Sequence, residues 1–128
     1  TPRPASWLSE NPRRFDSHMS FRVIVLIPKS PSSMRVGCLL LEFRLRQTRS
    51  LKDKRAVVSR LKERIRARYN VAVAEVDAQD DLRRLVVSCV VVGTDSRKLQ
   101  STLDQMYNYV ETLYLAEVVR SDTWVEAI

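Results

Sequence analysis

The stretch SLKDKRAVVSRLKERIRARY, residues 50–69, has apolar side chains at the three- and four-residue spacing of one helical face. Ser50 is a suitable N-cap, because its hydroxyl can accept a hydrogen bond from a free backbone N–H of the first turn. Asp53 forms a capping-box-like pair with it and places negative charge at the positive end of the helix dipole. These features predict one amphipathic helix. Its predicted core stripe is Leu51, Val58, Leu61, Ile65 and Tyr69, with Val57 at the edge.

The other side of this helix is strongly basic. Successive residues turn by about 100°, which directs most of the cations away from the apolar stripe. Lys54 is an exception on the apolar side, and the sequence predicts that its stem is buried while its ammonium reaches solvent. The cations directed away from the stripe are Lys52, Arg60, Arg64 and Arg66, with Arg55 and Lys62 flanking it.

Charge is distributed unevenly along the 128 residues, whose formal net charge is +7. Residues 44–68 contain eleven Lys and Arg but only two acidic residues, whereas residues 69–128 contain five Lys and Arg and ten acidic residues. A basic element on an acidic body attracts polyanions and steers their approach. The predicted RNA-binding residues are Arg44, Arg46, Arg49, Lys52, Lys54, Arg55, Arg60, Lys62, Arg64 and Arg66.

Four stretches on either side of the helix have strand character. Alternating or continuous apolar residues, enriched in valine, are typical of strands that are covered on one or both faces. A bulge is expected near Ser121, where the alternation of the last strand is imperfect. Between the third and fourth strands, Leu99, Leu103, Met106, Val110 and Leu113 predict a second helix capped by Asp95, with Thr94 as the alternative cap. The predicted strands are residues 34–46, 70–77, 82–93 and 116–128.

The order of these elements is β-α-β-β-α-β, which is the split βαβ arrangement of ferredoxin-like α+β folds. Right-handed crossovers then give a four-stranded antiparallel sheet in the order 4-1-3-2, with both helices on one face. The central strands would also present apolar side chains on the opposite face, where a bare patch is unfavourable. We expect a second copy of the chain or the leader to cover this face, and a homodimer is favoured because symmetric dimers are the commonest oligomers. The residues concerned are Cys38, Leu40, Val86 and Val90.

Residues 1–33 differ in composition from the ferredoxin-like domain predicted for residues 34–128. They contain all five prolines and seven serines, which indicates a mostly flexible leader. Within it, FRVIVLI at residues 21–27 is β-branched and bounded by turn residues, and it could add an extra strand.

Several classes of function are disfavoured by the composition. The only histidine is His18, and Cys38 and Cys89 lie in apolar runs without a CxxC pair, so we expect neither metal nor cofactor. No apolar run approaches the roughly 20 residues of a membrane span, and no signal-peptide pattern is present, so we expect a cytoplasmic protein. The glycine-rich phosphate cradle of acylphosphatase-like enzymes is missing after the first strand. We therefore predict no catalytic residue and no enzyme activity.

The segments MRVGCLLLEFRL (34–45) and SLKDKRAVVSRLKERIRARYNVAVAEVD (50–77) resemble the YlxP-like family of small bacterial proteins. The shared motif residues are Ser50, Leu51, Lys52, Lys54 and Arg55, whereas AQDDLRR (78–84) replaces an aromatic-containing segment that is common in that family. The resemblance implies a ferredoxin-like fold and a domain of unknown function. Genes of that family often lie near a ribosome-maturation factor, which favours a role with ribosomal RNA.

Two functions follow from these patterns. The first is a non-enzymatic protein that binds ribosomal or other structured RNA through phosphate contacts of the basic helix. Base readout on the sheet is disfavoured, because the third strand lacks aromatics and Phe43 of the first is on the core side. The alternative is a homodimeric assembly module that binds a protein or a small effector.

Overall fold

Six elements build the part of the chain that the computed structural model describes, residues 33–127. The four strands form one antiparallel sheet in the order β2-β3-β1-β4, which is the predicted order counted from the other edge. The ferredoxin-like α+β fold is confirmed, whereas the predicted leader and its strand at residues 21–27 lie outside the described residues. The elements are β1 (Arg35–Arg44), α1 (Leu51–Arg68), β2 (Ala72–Asp77), β3 (Arg84–Gly93), α2 (Ser96–Leu113) and β4 (Glu117–Ala127).

Helix α1 begins as its capping residues predict. The Ser50 hydroxyl accepts a hydrogen bond from the backbone N–H of Asp53 at 3.1 Å. The Asp53 carboxylate in turn accepts from the backbone N–H of Arg49 at 3.0 Å. The first bond satisfies an N–H group of the first turn that the helix itself leaves without a partner, and such a cap is worth about 1 kcal/mol. At the other end the chain leaves the helix at Tyr69, in an extended conformation that leads directly into β2.

The core lies between the two helices and one face of the sheet. Alternate residues of β1 and β3 supply the sheet side of this core, as the pairing of Leu39 with Cys89 and of Leu41 with Val87 shows. The predicted stripes of the helices fill the other side, except that Leu51, Tyr69 and Leu113 are only half-buried. The buried helix residues are Val58, Leu61, Ile65, Leu99, Leu103, Met106 and Val110.

The second half of the fold confirms two further local predictions. Asp95 rather than Thr94 caps α2, because its carboxylate accepts from the backbone N–H groups of Arg97 and Lys98. The β1–β4 register then jumps, since Glu42 pairs with Arg120 while Phe43 pairs with Val118. This bulge lies within three residues of Ser121, close to the predicted position.

The sheet face opposite the helices is more varied than the sequence suggested. Leu40 and Val86 are buried, with Trp124 packed against them, while Val90 is half-buried. Cys38 is also buried within the single chain. At one end of this face, Glu42 accepts from Arg84, with the two charged groups 3.2 Å apart. These apolar residues are thus covered rather than bare in the structure, and cover by a second copy of the chain stays a prediction.

Candidate nucleic-acid interface

Five cations of α1 lie on the part of the helix that faces away from its core stripe, and we call this set the outward α1 surface. Four of the side chains are exposed and Lys62 is half-buried. None of the five takes part in a salt bridge within residues 33–127. Because like charges on neighbouring helical turns repel by a few tenths of a kcal/mol per pair, this arrangement has no stabilising role in the helix itself. The outward α1 surface consists of Lys52, Arg55, Arg60, Lys62 and Arg64.

Two further arginines near the end of α1 are exposed but are held by local contacts. Arg66 donates from Nη2 to the backbone carbonyl of Val73 at 3.1 Å. The guanidinium of Arg68 lies 4.6 Å from the centre of the Tyr109 ring, a cation–π contact. Both residues add positive charge beside the outward α1 surface, but their positions are fixed by the fold.

Lys54 does not belong to the surface, and its prediction as an RNA-binding residue is wrong. It is only 1% exposed, although its neighbours on the solvent side are open. Its ammonium donates to the carbonyls of Ala78 at 2.5 Å and Asp81 at 2.7 Å. The carboxylate of Glu75 lies 3.1 Å away. The β2–β3 hairpin thus surrounds the ammonium with oxygens, and a polyanion cannot reach it.

The end of β1 contributes a second group of cations. Arg46 donates from Nε to the Glu117 carboxylate at 3.0 Å, which engages one of the predicted RNA-binding residues. The pKa of Glu117 is lowered mainly by this hydrogen bond, with the nearby charges of Arg46 and Arg44 adding to the effect. Arg49 is exposed and lines a depression of 620 Å³ with Arg46 and Arg83.

Arg83 was missed by the sequence analysis. Its guanidinium donates from Nη1 to the backbone carbonyl of Arg46 at 2.8 Å, which adds a cation to the end of the sheet. Arg44 pairs with Arg84 in the sheet, so the preceding residue, Arg83, lies beside the end of β1. Antiparallel pairing of these strands was predicted, and that pairing is the signal that could have identified Arg83.

Predicted cations also line two further grooves. A cleft of 540 Å³ lies between the end of β1, helix α1 and residues 114–117. Arg44, Arg46 and Arg60 all line it, together with Tyr114, a residue that the sequence analysis did not single out. A smaller groove of 300 Å³ is lined by Arg55, Lys62 and Arg66, with Glu63 and Glu75 also at its wall. The basic surface therefore includes concave as well as convex parts.

The buried thiols offer no alternative site. Burial raises the pKa of the Cys89 thiol to about 12, with the neighbouring Cys38 adding to the shift, so the nucleophilic thiolate is scarce at neutral pH. Cys38 lies with its sulfur 3.3 Å from the Ser88 hydroxyl oxygen.

Among residues 33–127, no three His, Cys, Asp or Glu side chains are arranged to hold a metal ion. No helix in that range has the length and hydropathy of a membrane span.

The sequence was also compared with known proteins. Residues 36–123 match a family described as "Protein of unknown function (DUF503)". This range runs from β1 into β4 and so includes both helices. No curated protein matches the chain. The family description names no ligand or reaction, so the function has to be inferred from the surface.

Proposed function

The chain belongs to this DUF503 family, and we propose that it is a non-enzymatic RNA-binding protein that holds the phosphate backbone through the outward α1 surface. The observation that carries the proposal is the set of five α1 cations with no ion pair among residues 33–127. Cations of this kind displace the condensed counterions of a nucleic acid, which gives affinity that does not depend on base sequence.

The arrangement of the cations supports an extended contact rather than a single anion site. Residues Lys52 to Arg64 occupy more than three turns of α1, and at 1.5 Å per residue this distance is about 18 Å. Arg44 and Arg49 continue the positive charge from the start of the helix. A polyanion of repeating charge fits cations spread over this length better than a small anion does, because each phosphate can meet a different side chain.

Phosphate contact is favoured over base recognition on the sheet. The central strands β1 and β3 carry one aromatic residue, Phe43, and it is buried on the helix side. A sheet that stacks bases needs exposed aromatics on those strands. Structured RNA presents its phosphates in a regular array, and we infer that it is the preferred partner.

Ribosomal RNA is the specific target that we propose, with the cytoplasm as the place of action. The resemblance to YlxP-like proteins supports this choice, since genes of that family often lie near a ribosome-maturation factor. A homodimeric module that binds a protein or an effector is the alternative. A partner that stays bound after nuclease treatment of a cell extract would support the alternative instead.

The test compares two charge-reversal variants that change net charge equally. Arg60→Glu/Arg64→Glu alters the outward α1 surface, whereas Arg97→Glu/Lys98→Glu alters exposed cations at the start of α2. We expect the first to weaken binding of an RNA hairpin by about 100-fold in fluorescence anisotropy, if each lost charge-assisted contact is worth about 1.5 kcal/mol. The second should change the affinity only a few-fold. Equal effects of the two variants, or no binding by the unaltered protein, would reject the proposal.

A further inference from the structure

Tyr114 occupies an unusual position at the end of α2. It is the C-cap, with φ 53° and ψ 26°, which is the left-handed conformation. Bulky residues are disfavoured there, and glycine or asparagine is the usual choice. The tyrosine is also 90% exposed, so no burial of its ring offsets the unfavourable backbone. Neither helix capping nor packing explains why an aromatic residue stands at this position.

Tyr114 lines the 540 Å³ cleft, as do Arg44 and Arg60. This volume lies within the range of about 300–1,000 Å³ that is typical of ligand sites. Val57 and Leu115 supply an apolar part of the wall. The cleft therefore combines an accessible aromatic ring, apolar surface and guanidinium groups, which come together only in the folded chain.

The electrostatics of this Tyr114 cleft favour an anion. Its two acidic residues already have partners, since Asp53 accepts from the Arg49 backbone and Glu117 accepts from Arg46. Arg44 and Arg60 form no salt bridge within the described part of the chain. Two guanidinium groups are thus left to meet a negatively charged ligand beside the tyrosine ring.

We propose that the Tyr114 cleft binds an unpaired nucleotide of RNA, with its base stacked on Tyr114 and its phosphates held by Arg44 and Arg60. Aromatic rings beside cations are how proteins hold single-stranded RNA, because every base has a face that can stack. The inference rests on the proposed function and extends it. Arg60 lies on both surfaces, so a paired stem on the outward α1 surface continues into an unpaired segment in the cleft.

The experiment uses the full chain and two RNA probes. One is a blunt 12-base-pair stem, and the other is the same stem with six unpaired nucleotides at one 3′ end. Tyr114→Asn removes the ring but suits the left-handed backbone, so thermal unfolding should show that it is folded and at least as stable as the original. Tyr114→Phe keeps the ring and serves as the matched control.

We expect the original protein to bind the stem with the overhang more tightly than the blunt stem in fluorescence anisotropy. Tyr114→Asn should lower affinity for the overhang RNA by about tenfold, within the range that stacking of one base is worth. It should leave affinity for the blunt stem unchanged, and Tyr114→Phe should match the original protein on both probes.

Other outcomes distinguish the two proposals. If Tyr114→Asn changes neither affinity, or lowers both equally, or if the overhang gives no advantage to the original protein, the cleft does not stack a base. In those cases loss of stem binding in Arg60→Glu/Arg64→Glu still supports phosphate contact by α1. Failure of the original protein to bind either probe would overturn both proposals.

Discussion

Helix α1 places the same kind of charge in two opposite environments. The ammonium of Lys54 is enclosed by the β2–β3 hairpin, with Glu75 and two main-chain carbonyls within 3.1 Å. Lys52, two residues earlier, is exposed and has no salt bridge among the residues that the structure describes. A lysine whose ammonium is bound by oxygens of the same chain stabilises the fold. A lysine without such oxygens is available to a partner. Substitution of the first should therefore alter stability, and substitution of the second should alter binding.

The largest effect on stability is expected at Lys54. Lys54→Met should lower the free energy of unfolding by about 3–5 kcal/mol, because it leaves the Glu75 carboxylate buried without its cation. Urea unfolding measures this change as a lower midpoint. Lys52→Met is the matched control on the same helix and should change stability by no more than about 0.5 kcal/mol.

A second substitution makes this prediction specific to the buried charge. Adding Glu75→Leu to Lys54→Met removes the carboxylate as well, and the double variant should recover part of the lost stability. If Lys52→Met and Lys54→Met have equal midpoints, the two environments do not differ as described. A double variant less stable than Lys54→Met alone would show that packing, not charge, dominates at this site.

Burial should also make stability depend on pH, through the thiol of Cys89. The pKa of the Cys89 thiol is raised to about 12 by burial, so the folded chain keeps this proton at pH values where the unfolded chain loses it. Stability from this group is complete below about pH 9 and is lost as pH rises towards 12. Between pH 9 and 10.5 we expect a loss of about 2 kcal/mol.

Cys89→Val isolates this loss, since other groups that titrate at alkaline pH are common to both proteins. The difference in unfolding midpoint between the two proteins should change across pH 9–10.5 and stay constant from pH 6 to 8. A constant difference across the whole range would show that Cys89 ionises freely in the folded chain.

The smallest effect on stability is expected at the exposed pair of Arg46 and Glu117. Glu117→Gln should leave the urea midpoint unchanged at pH 7, because exposed ion pairs contribute little. The pKa of Glu117 is lowered in the folded chain. The carboxylate's small contribution to stability is therefore present above its unfolded pKa and is lost as pH falls through its folded pKa. The same substitution removes negative charge from the Tyr114 cleft and frees Arg46, so RNA affinity should rise a few-fold. A weaker affinity would place the carboxylate among the favourable contacts.

Much of the fold could be predicted because its signals are local. The caps at Ser50 and Asp95 and the two apolar stripes depend on residues close together in sequence. The order of the strands followed from the handedness of crossovers, which is a general property of such connections. The bulge near Ser121 was visible as a break in alternation.

The candidate interface was harder to predict because it depends on groups that are distant in sequence. The ammonium of Lys54 is bound by the main-chain carbonyls of residues 78 and 81. Every residue has a carbonyl, so the sequence contains no sign of these contacts. Tyr114 was overlooked because a left-handed helix end usually has a glycine signal, and this one has a tyrosine. The outward α1 surface itself was predicted, since helical periodicity alone directs those cations away from the core.

The salt dependence of RNA binding tests the central claim most directly. With three to five phosphates contacted by α1, the logarithm of the association constant should fall against the logarithm of salt concentration with a slope of about −3 to −5. Arg60→Glu/Arg64→Glu should reduce the magnitude of this slope by about 2, and Arg97→Glu/Lys98→Glu should leave it unchanged. A flat response in the original protein, or one common slope for all three proteins, would contradict the account.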